Sequence, residues 1–215
     1  MTILEAIRTR HSVRAFTGQK LDGKTIASLN EEIGRCNTEG GLHIQLVTEE
    51  PEAFGRSVLA KYGKFSGVEN YIALVGRKSP DLEERVGYYG ERIFLYARTL
   101  GLNGCWVGLT YKKVPGAFKV DAGEKLVLVI AIGYAAAPGK EHKIKSYEDV
   151  TDEKDAPEWF RKGVEAALLA PTAMNQQKFK ISLADGKPVF GHGWGSYVKT
   201  DLGIVKYHFE VGSTQ

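Results

Sequence analysis

Arg10, His11, Ser12 and Arg14 lie within five residues of one another. Two guanidinium groups beside a hydroxyl supply charge, bidentate donors and a small donor, which is the chemistry of a phosphate grip. His142-Lys143-Ile144-Lys145 forms a second basic cluster, and an extended backbone would set Lys143 and Lys145 on one side. Converging, two such clusters suit a phosphomonoester. Alone, each reads better as a solvated basic face. A third segment, Ala170-Pro171-Thr172-Ala173-Met174-Asn175-Gln176-Gln177, is neutral. It follows a helical, apolar stretch and precedes a strand-like one. A helix that stops at proline and opens into small residues, then side-chain amides, leaves backbone and neutral hydrogen-bonding groups to face outward. That suits a flat, heteroatom-rich ligand better than a metal or a proton-transfer reaction.

Other patterns carry less. Gly18 to Thr25 matches the P-loop pattern letter for letter. No buried strand precedes it, and Asp22 would set an acid against phosphates, so a turn followed by a helix N-cap is the better reading. Gly191-x-Gly193-x-Gly195 follows no long strand and reads as a turn or a ligand lid rather than a dinucleotide fingerprint. His11, His43, His142, His192 and His208 show no metal-ligand spacing. Cys36 and Cys105 define no disulfide framework and read as buried thiols. Tyr88, Tyr89, Phe94 and Tyr96 have helical spacing and read as core, although Tyr88 and Tyr89 could line a ring.

The elements that must hold these residues follow from hydrophobic period and breakers. Helices are expected over Met1–Thr9, Lys24–Cys36 behind an Asp22 N-cap, Pro51–Tyr62, Glu83–Leu100 and Trp159–Leu169. Strands are expected over Leu42–Thr48, Asn70–Gly76, Leu126–Ile132 and Phe179–Leu183, with a short apolar segment at Cys105–Leu109. Ser196–Val211 fits either type, and Ala135–Asp155 reads as a long polar connection. The order partly repeats: "GLHIQLVTEEPEAFG" echoes "KFKISLADGKPVFG", and "YYGERIFLYARTLGL" echoes "TDLGIVKYHFEVG". This suggests a degenerate duplication, divided at 1–150 and 151–215.

A chain of 215 residues with 43% apolar and 26% charged residues is globular in composition, and a net charge of +3 is too small to argue for nucleic acid. Met1 to Arg14 has three arginines and no apolar stretch of signal-peptide type, and Leu126 to Ile132, the longest apolar run, is too short to span a bilayer. A cytoplasmic protein is expected, without membrane or nucleic-acid partners.

Four segments together resemble the FMN-dependent nitroreductase family, in the variant form of the TM nitroreductase subgroup. "IRTRHSVRAF" resembles its opening Arg-x-Ser-x-Arg/Lys run, and "LGLNGCWVGL" its helix-ending segment near flavin N5. "EKLVLVIAIGYAAAPGKEHKIK" is similar to its strand and basic pair at the phosphate, and "APTAMNQQKFKI" to its Ala-Pro-Ser-x-x-Asn-x-Gln-Pro-Trp motif. The resemblance implies an α+β nitroreductase-like fold: a central, mostly antiparallel sheet flanked by helices. Its implied cofactor is FMN, with NAD(P)H as donor and a nitro- or quinone-like acceptor as small-molecule partner. No catalytic side chain and no metal is implied, because the flavin carries the chemistry.

By the same resemblance Arg10 and Ser12 bind phosphate with Lys143 and Lys145, His11 assists, and Arg14 approaches the pyrimidine edge. Lys64 contacts the flavin; Trp106, Val107, Gly108 and Leu109 lie along the ring; Pro171, Thr172, Ala173 and Asn175 close the other side. Lys178-Phe179 stands where the family has Pro-Trp. The family's Asn-bearing segment comes early in the chain and reaches into a partner subunit's site, whereas here it comes late. That implies two degenerate halves forming an intrachain pseudo-dimer with one FMN per chain, a monomer in preference to a homodimer. A non-catalytic FMN sensor or storage protein and, remotely, a P-loop NTPase are the alternatives.

Overall fold

A computed structural model describes residues 1–55 and 63–214. The backbone gathers into two compact units, neither continuous in sequence. A sheet unit comprises Arg10–Leu82 and Ile93–Glu141, and a helical unit comprises Met1–Thr9, Glu83–Arg92 and His142–Gln215. The boundary expected at 150/151 falls inside the helical unit's last stretch.

In the sheet unit, helix α2 (Gly23–Gly40) starts where Asp22 accepts the amide of Thr25 at 2.9 Å and its hydroxyl at 2.8 Å, and it ends at Gly41 with φ 57°. Asp22 thus fills the helix N-terminus that a P-loop would offer to phosphate, and its carboxyl is held below the ordinary range by the Thr25 amide and hydroxyl. Strands β1 (Gln45–Val47), β2 (Asn70–Arg77), β3 (Asn103–Val107) and β4 (Glu124–Gly133) form an antiparallel sheet in the order β1-β2-β4-β3. Ile72 pairs with Leu46 on one side and Ile130 on the other, and Trp106 pairs with Ile130. Every residue of β2 except Arg77 is buried, as an apolar run covered on both faces requires. Tyr71, Ala73, Val75, Val129 and Ala131 face a cluster with Val13, Phe16, Phe54 and Tyr111. Gly104 has a structural reason: a Cβ there would meet the Ala131 carbonyl oxygen at 2.5 Å and the Phe94 ring at 2.8 Å.

Helix α3 (Leu82–Thr99) gives its first turns to the helical unit and the remainder to the sheet unit. The helical unit also holds α1 (Ile3–Thr9), the short α4 (Tyr147–Val150), α5 (Glu158–Leu168), the hairpin β5 (Phe179–Ala184) and β6 (Lys187–His192), and α6 (Val198–Ser213). Glycines set the helix approach. A Cβ on Gly203 would overlap the Glu84 carbonyl oxygen, one on Gly87 the Thr200 carbonyl oxygen, and one on Gly163 would meet the Phe209 ring at 2.6 Å. His208 and Glu91 are both fully buried and joined at 2.9 Å. The other imidazole nitrogen faces the Ala166 carbonyl at 3.1 Å, so Nδ1 carries a proton and Nε2 shares one with the carboxylate.

Most expected elements are present, with three differences. Ser196–Val211 resolves as helix α6. Leu42–Thr48 yields only the three residues of β1. The echo between "GLHIQLVTEEPEAFG" and "KFKISLADGKPVFG" is not matched in topology, because Asp185 and Gly186, at φ 51° and 71°, turn β5 directly into β6. Such a turn closes a hairpin, whereas β1 pairs with β2 more than twenty residues on. Pro51–Phe54 is a 3-10 turn, and 56–62 of the helix expected there lie outside the described residues.

Candidate functional site

In the sheet unit, backbone pairing joins three segments that are far apart in sequence. Ser12 bridges Gly104 in parallel and Lys140 in antiparallel sense, and the Val13 amide donates to the Gly104 carbonyl at 2.9 Å. Phe16 and Ser66 exchange the next bonds: the Phe16 amide donates to Ser66 at 2.9 Å and the Ser66 amide to Arg14 at 3.0 Å. The Arg10–Arg14 run is therefore fastened beside β3 on one flank and beside Lys64–Ser66 on the other. Arg14 is exposed with its guanidinium 6.0 Å from the Phe65 ring. Arg10 is 3% exposed and stands 6.0 Å from the Phe94 ring. Buried Nδ1 of His11 has no hydrogen-bond partner. Lys64 is exposed at φ 55°, a conformation that costs a non-glycine residue about 1–3 kcal/mol.

β3 carries the other residues expected in this unit. Trp106 is half-buried, Val107 is buried, Gly108 is half-buried just past the strand end, and Leu109 is 72% exposed. Cys105 is buried, and burial pushes its thiol up against the opposing pull of Arg14, Ser12 and Arg10. That is a small packing residue rather than a reactive thiolate.

In the helical unit, the Lys143–Lys145 pair and the Pro171–Gln177 segment come together. Asn175 Nδ2 and Gln177 Nε2 each donate to the Lys143 carbonyl at 2.8 Å. The Lys145 amide donates to Gln177 Oε1 at 2.9 Å, and its ammonium to the Gln177 carbonyl at 2.8 Å. Gln177 is 4% exposed and receives no bulk-water compensation, so these bonds are obligatory. The segment is conformationally costly: Met174, Asn175 and Gln177 all have positive φ, at 51°, 55° and 46°. Strain of this density persists only where surrounding structure over-determines it, and it clusters at ligand sites.

Asp201, in the first turn of α6, supplies that over-determination. It is 6% exposed; Oδ1 accepts the Ala173 amide at 2.9 Å and Oδ2 the Gln176 side-chain amide at 2.8 Å. Burial raises its carboxyl to about 6, and the two donors oppose only part of that rise. Neither Asp201 nor Gln177 is among the expected site residues. An acid in the first turn of a helix ordinarily signals only favour toward the helix dipole, which hides Asp201. Gln177 stands inside the quoted motif and carried no role.

A family model described as "Putative TM nitroreductase" matches residues 2–213. The chain belongs to this family. Among solved structures, a "putative nitroreductase" from Thermotoga maritima is 23% identical, with a TM-score of 0.69 over 97% of this chain and 82% of its own. A "Putative NADH Oxidase" from Clostridium acetobutylicum is 20% identical, with a TM-score of 0.54 over 69% of this chain and 99% of its own. A "putative nitroreductase" in complex with FMN, from Desulfovibrio desulfuricans, is 16% identical, with a TM-score of 0.57 over 73% of this chain and 99% of its own. These likenesses show the nitroreductase-like α+β fold. No curated protein matches.

The remaining candidates in this nitroreductase-family chain make contacts within their own units. Tyr88 donates to Glu210 at 2.6 Å and packs edge-on to Tyr89 and Tyr207, within the helical unit. Among the described residues one group has ligand atoms close enough for a metal: His43, Asp121 and Glu124. Glu124 Oε2 already accepts His43 Nδ1 at 2.8 Å and the Asp121 amide at 2.9 Å, which pins the start of β4. The separation of about eighty residues between His43 and the two acids made the cluster invisible to a reading of local spacing. No described helix is long and apolar enough to cross a membrane.

Proposed function

We propose that this protein is an FMN-dependent NAD(P)H oxidoreductase acting on nitro- or quinone-like acceptors. The observation that carries the reading is the backbone fastening of Arg10–Arg14 to β3 and to Lys64–Ser66. It gathers into one unit three segments assigned to the flavin by the family resemblance.

The groups present fit a planar cofactor with a phosphate. Arg14 presents an exposed guanidinium, and the orphaned His11 Nδ1 is a buried polar atom that a ligand oxygen or a bridging water can satisfy. Gly108 and Leu109 leave strand-end backbone accessible. In the helical unit, Lys143 is exposed, and the Lys145 ammonium keeps two further hydrogens after donating to Gln177. Arg10, Ser12, Lys64, Trp106 and Val107 complete the assignment in the sheet unit, and Pro171, Thr172, Ala173 and Asn175 in the helical unit.

When bound, FMN supplies hydride chemistry between NAD(P)H and the acceptor. The chain's own residues bind and orient. Arg14, exposed and cationic, would supply the positive charge that stabilises a reduced, anionic ring. Asn175 acts by holding the Lys143 carbonyl and Gln177, keeping the strained segment in one conformation. The late position of this segment makes one flavin per chain the expected stoichiometry. The test is purification followed by flavin quantification, chain mass by light scattering, and NAD(P)H oxidation with menadione. A yellow monomer with one FMN that turns over supports the reading. A colourless protein that FMN does not stabilise overturns it, two chains sharing each flavin overturns the stoichiometry, and flavin without turnover assigns a binding protein.

A further inference from the structure

Gly193-Trp194-Gly195 connects β6 to α6, and Trp194 is 95% exposed. Large aromatic side chains are highly buried on average, and Trp194 has the highest exposure among the exposed large hydrophobic residues described. Its backbone is nevertheless fixed. The Lys178 ammonium donates to the Trp194 carbonyl at 2.7 Å, and the Gly193 amide to the Lys178 carbonyl at 2.9 Å. Gln176 Nε2 donates to the Ser196 carbonyl at 2.8 Å, and His192 Nδ1 donates to the Gly193 carbonyl at 3.0 Å. Gly195 is required by this tether, since a Cβ there would overlap Gln176 Oε1.

Trp194 is therefore held by Gln176 and Lys178, which flank the buried Gln177 and continue the Pro171–Asn175 segment. Met174 of that segment is itself 87% exposed. A fixed backbone leaves only the two side-chain torsions of the indole to be ordered when a ligand stacks on it. Its electron-rich face prefers electron-poor planar rings, and the neighbouring Lys178 and His192 side chains, both exposed, favour oxygens carrying negative charge.

We propose that Trp194 is the stacking platform that selects planar, electron-poor aromatic acceptors, of the quinone or nitroaromatic class. The inference rests on the oxidoreductase reading above for its meaning in turnover, but not for its binding test. Trp194→Ala lowers the ratio of kcat/KM for menadione to kcat/KM for ferricyanide about three- to tenfold, through KM for menadione. Trp194→Phe restores most of the ratio. FMN content, measured separately in each variant, reports on the oxidoreductase reading. Independently of flavin and turnover, menadione quenches indole emission in protein stripped of any flavin, and the quench disappears in Trp194→Ala although Trp106 and Trp159 remain. An unchanged acceptor ratio overturns the proposal, as does a quench that survives the substitution. A fall in molecular mass on Trp194→Ala also overturns it, because the indole would then serve contact between copies.

Discussion

Replacing Asp201 by Asn tests the segment's main anchor through pH. Asp201 is nearly buried, and its carboxyl titrates at about 6 against 3.8 for the unburied group. At 1.36 kcal/mol for each pH unit, the difference amounts to about 3 kcal/mol. The sign follows from the direction. A folded-state value raised above the unfolded one gives stability that is full below pH 3.8 and is lost as pH rises through 6. Above that window the protein carries a buried carboxylate whose two donors offset only part of its desolvation. Asn cannot ionise, and it costs about 1 kcal/mol at every pH, because its own amide must face either the Ala173 amide or the Gln176 amide. Urea unfolding of both proteins between pH 4 and pH 7.5 at constant ionic strength isolates the term. Wild type should lose about 2–3 kcal/mol relative to Asp201→Asn across that range. A difference that stays flat within about 0.5 kcal/mol, or that grows in favour of wild type as pH rises, refutes the argument; the latter would mean that the two hydrogen bonds outweigh burial.

Four further outcomes are expected. Gly203→Ala should lower stability by about 2–3 kcal/mol, read as a shift in urea midpoint with unchanged slope, because the added Cβ overlaps the Glu84 carbonyl oxygen. Glu91→Ala should cost about 3 kcal/mol or more by leaving His208 buried without its partner, and thermal unfolding checks it. Asn175→Ala removes the bond to the Lys143 carbonyl and the acceptor for Gln177, so FMN should bind several-fold more weakly by fluorescence titration while circular dichroism is unchanged. Arg14→Ala should weaken FMN binding and flatten its salt dependence, since an exposed guanidinium acts largely through its charge.

Local chemistry in the sequence reached the fold further than it reached the site. The Asp22 cap, the Gly41 stop and the apolar run of β2 are each decided within a few residues, so period and capping rules identify them. The hairpin at Asp185-Gly186 was legible in the same way, as an Asp-Gly pair between short strands. Its place in an apparent repeat obscured it, since repetition of residue types does not fix pairing partners. Site residues that act through long-range hydrogen bonds carried no such signal. Gln177 works by grasping both ends of Lys143–Lys145, more than thirty residues away, and Asp201 by clamping Ala173 and Gln176. Arg10 and Arg14 are equivalent in the sequence pattern, yet one is buried beside Phe94 and the other exposed beside Phe65. Positions 10, 12 and 14 fall on one side of an extended run, so alternation does not separate the two arginines; the neighbours around each do, the Phe94 ring at Arg10 and the Phe65 ring at Arg14.

The helical unit draws on the first nine residues, on the opening turns of α3 and on everything after residue 141. In N-to-C order the residues of the sheet unit, Arg10–Leu82 and Ile93–Glu141, are all joined before those of α5 and α6. During that interval α1 lacks Ala166, Leu169 and Gly212, the residues with which its Leu4 and Arg8 line a cavity. Helix α1 therefore waits for α5 and α6, and ordering it closes a loop that runs from Leu4 to Gly212, a strongly non-local contact and so a slow one to form. The strained Met174–Gln177 segment is likewise set only after Asp201 and the Trp194 loop, which follow it in the chain, are present to hold it. Removing α6 should therefore leave the Met174–Gln177 segment without its Asp201 clamp while the backbone pairings of the sheet unit stay as they are.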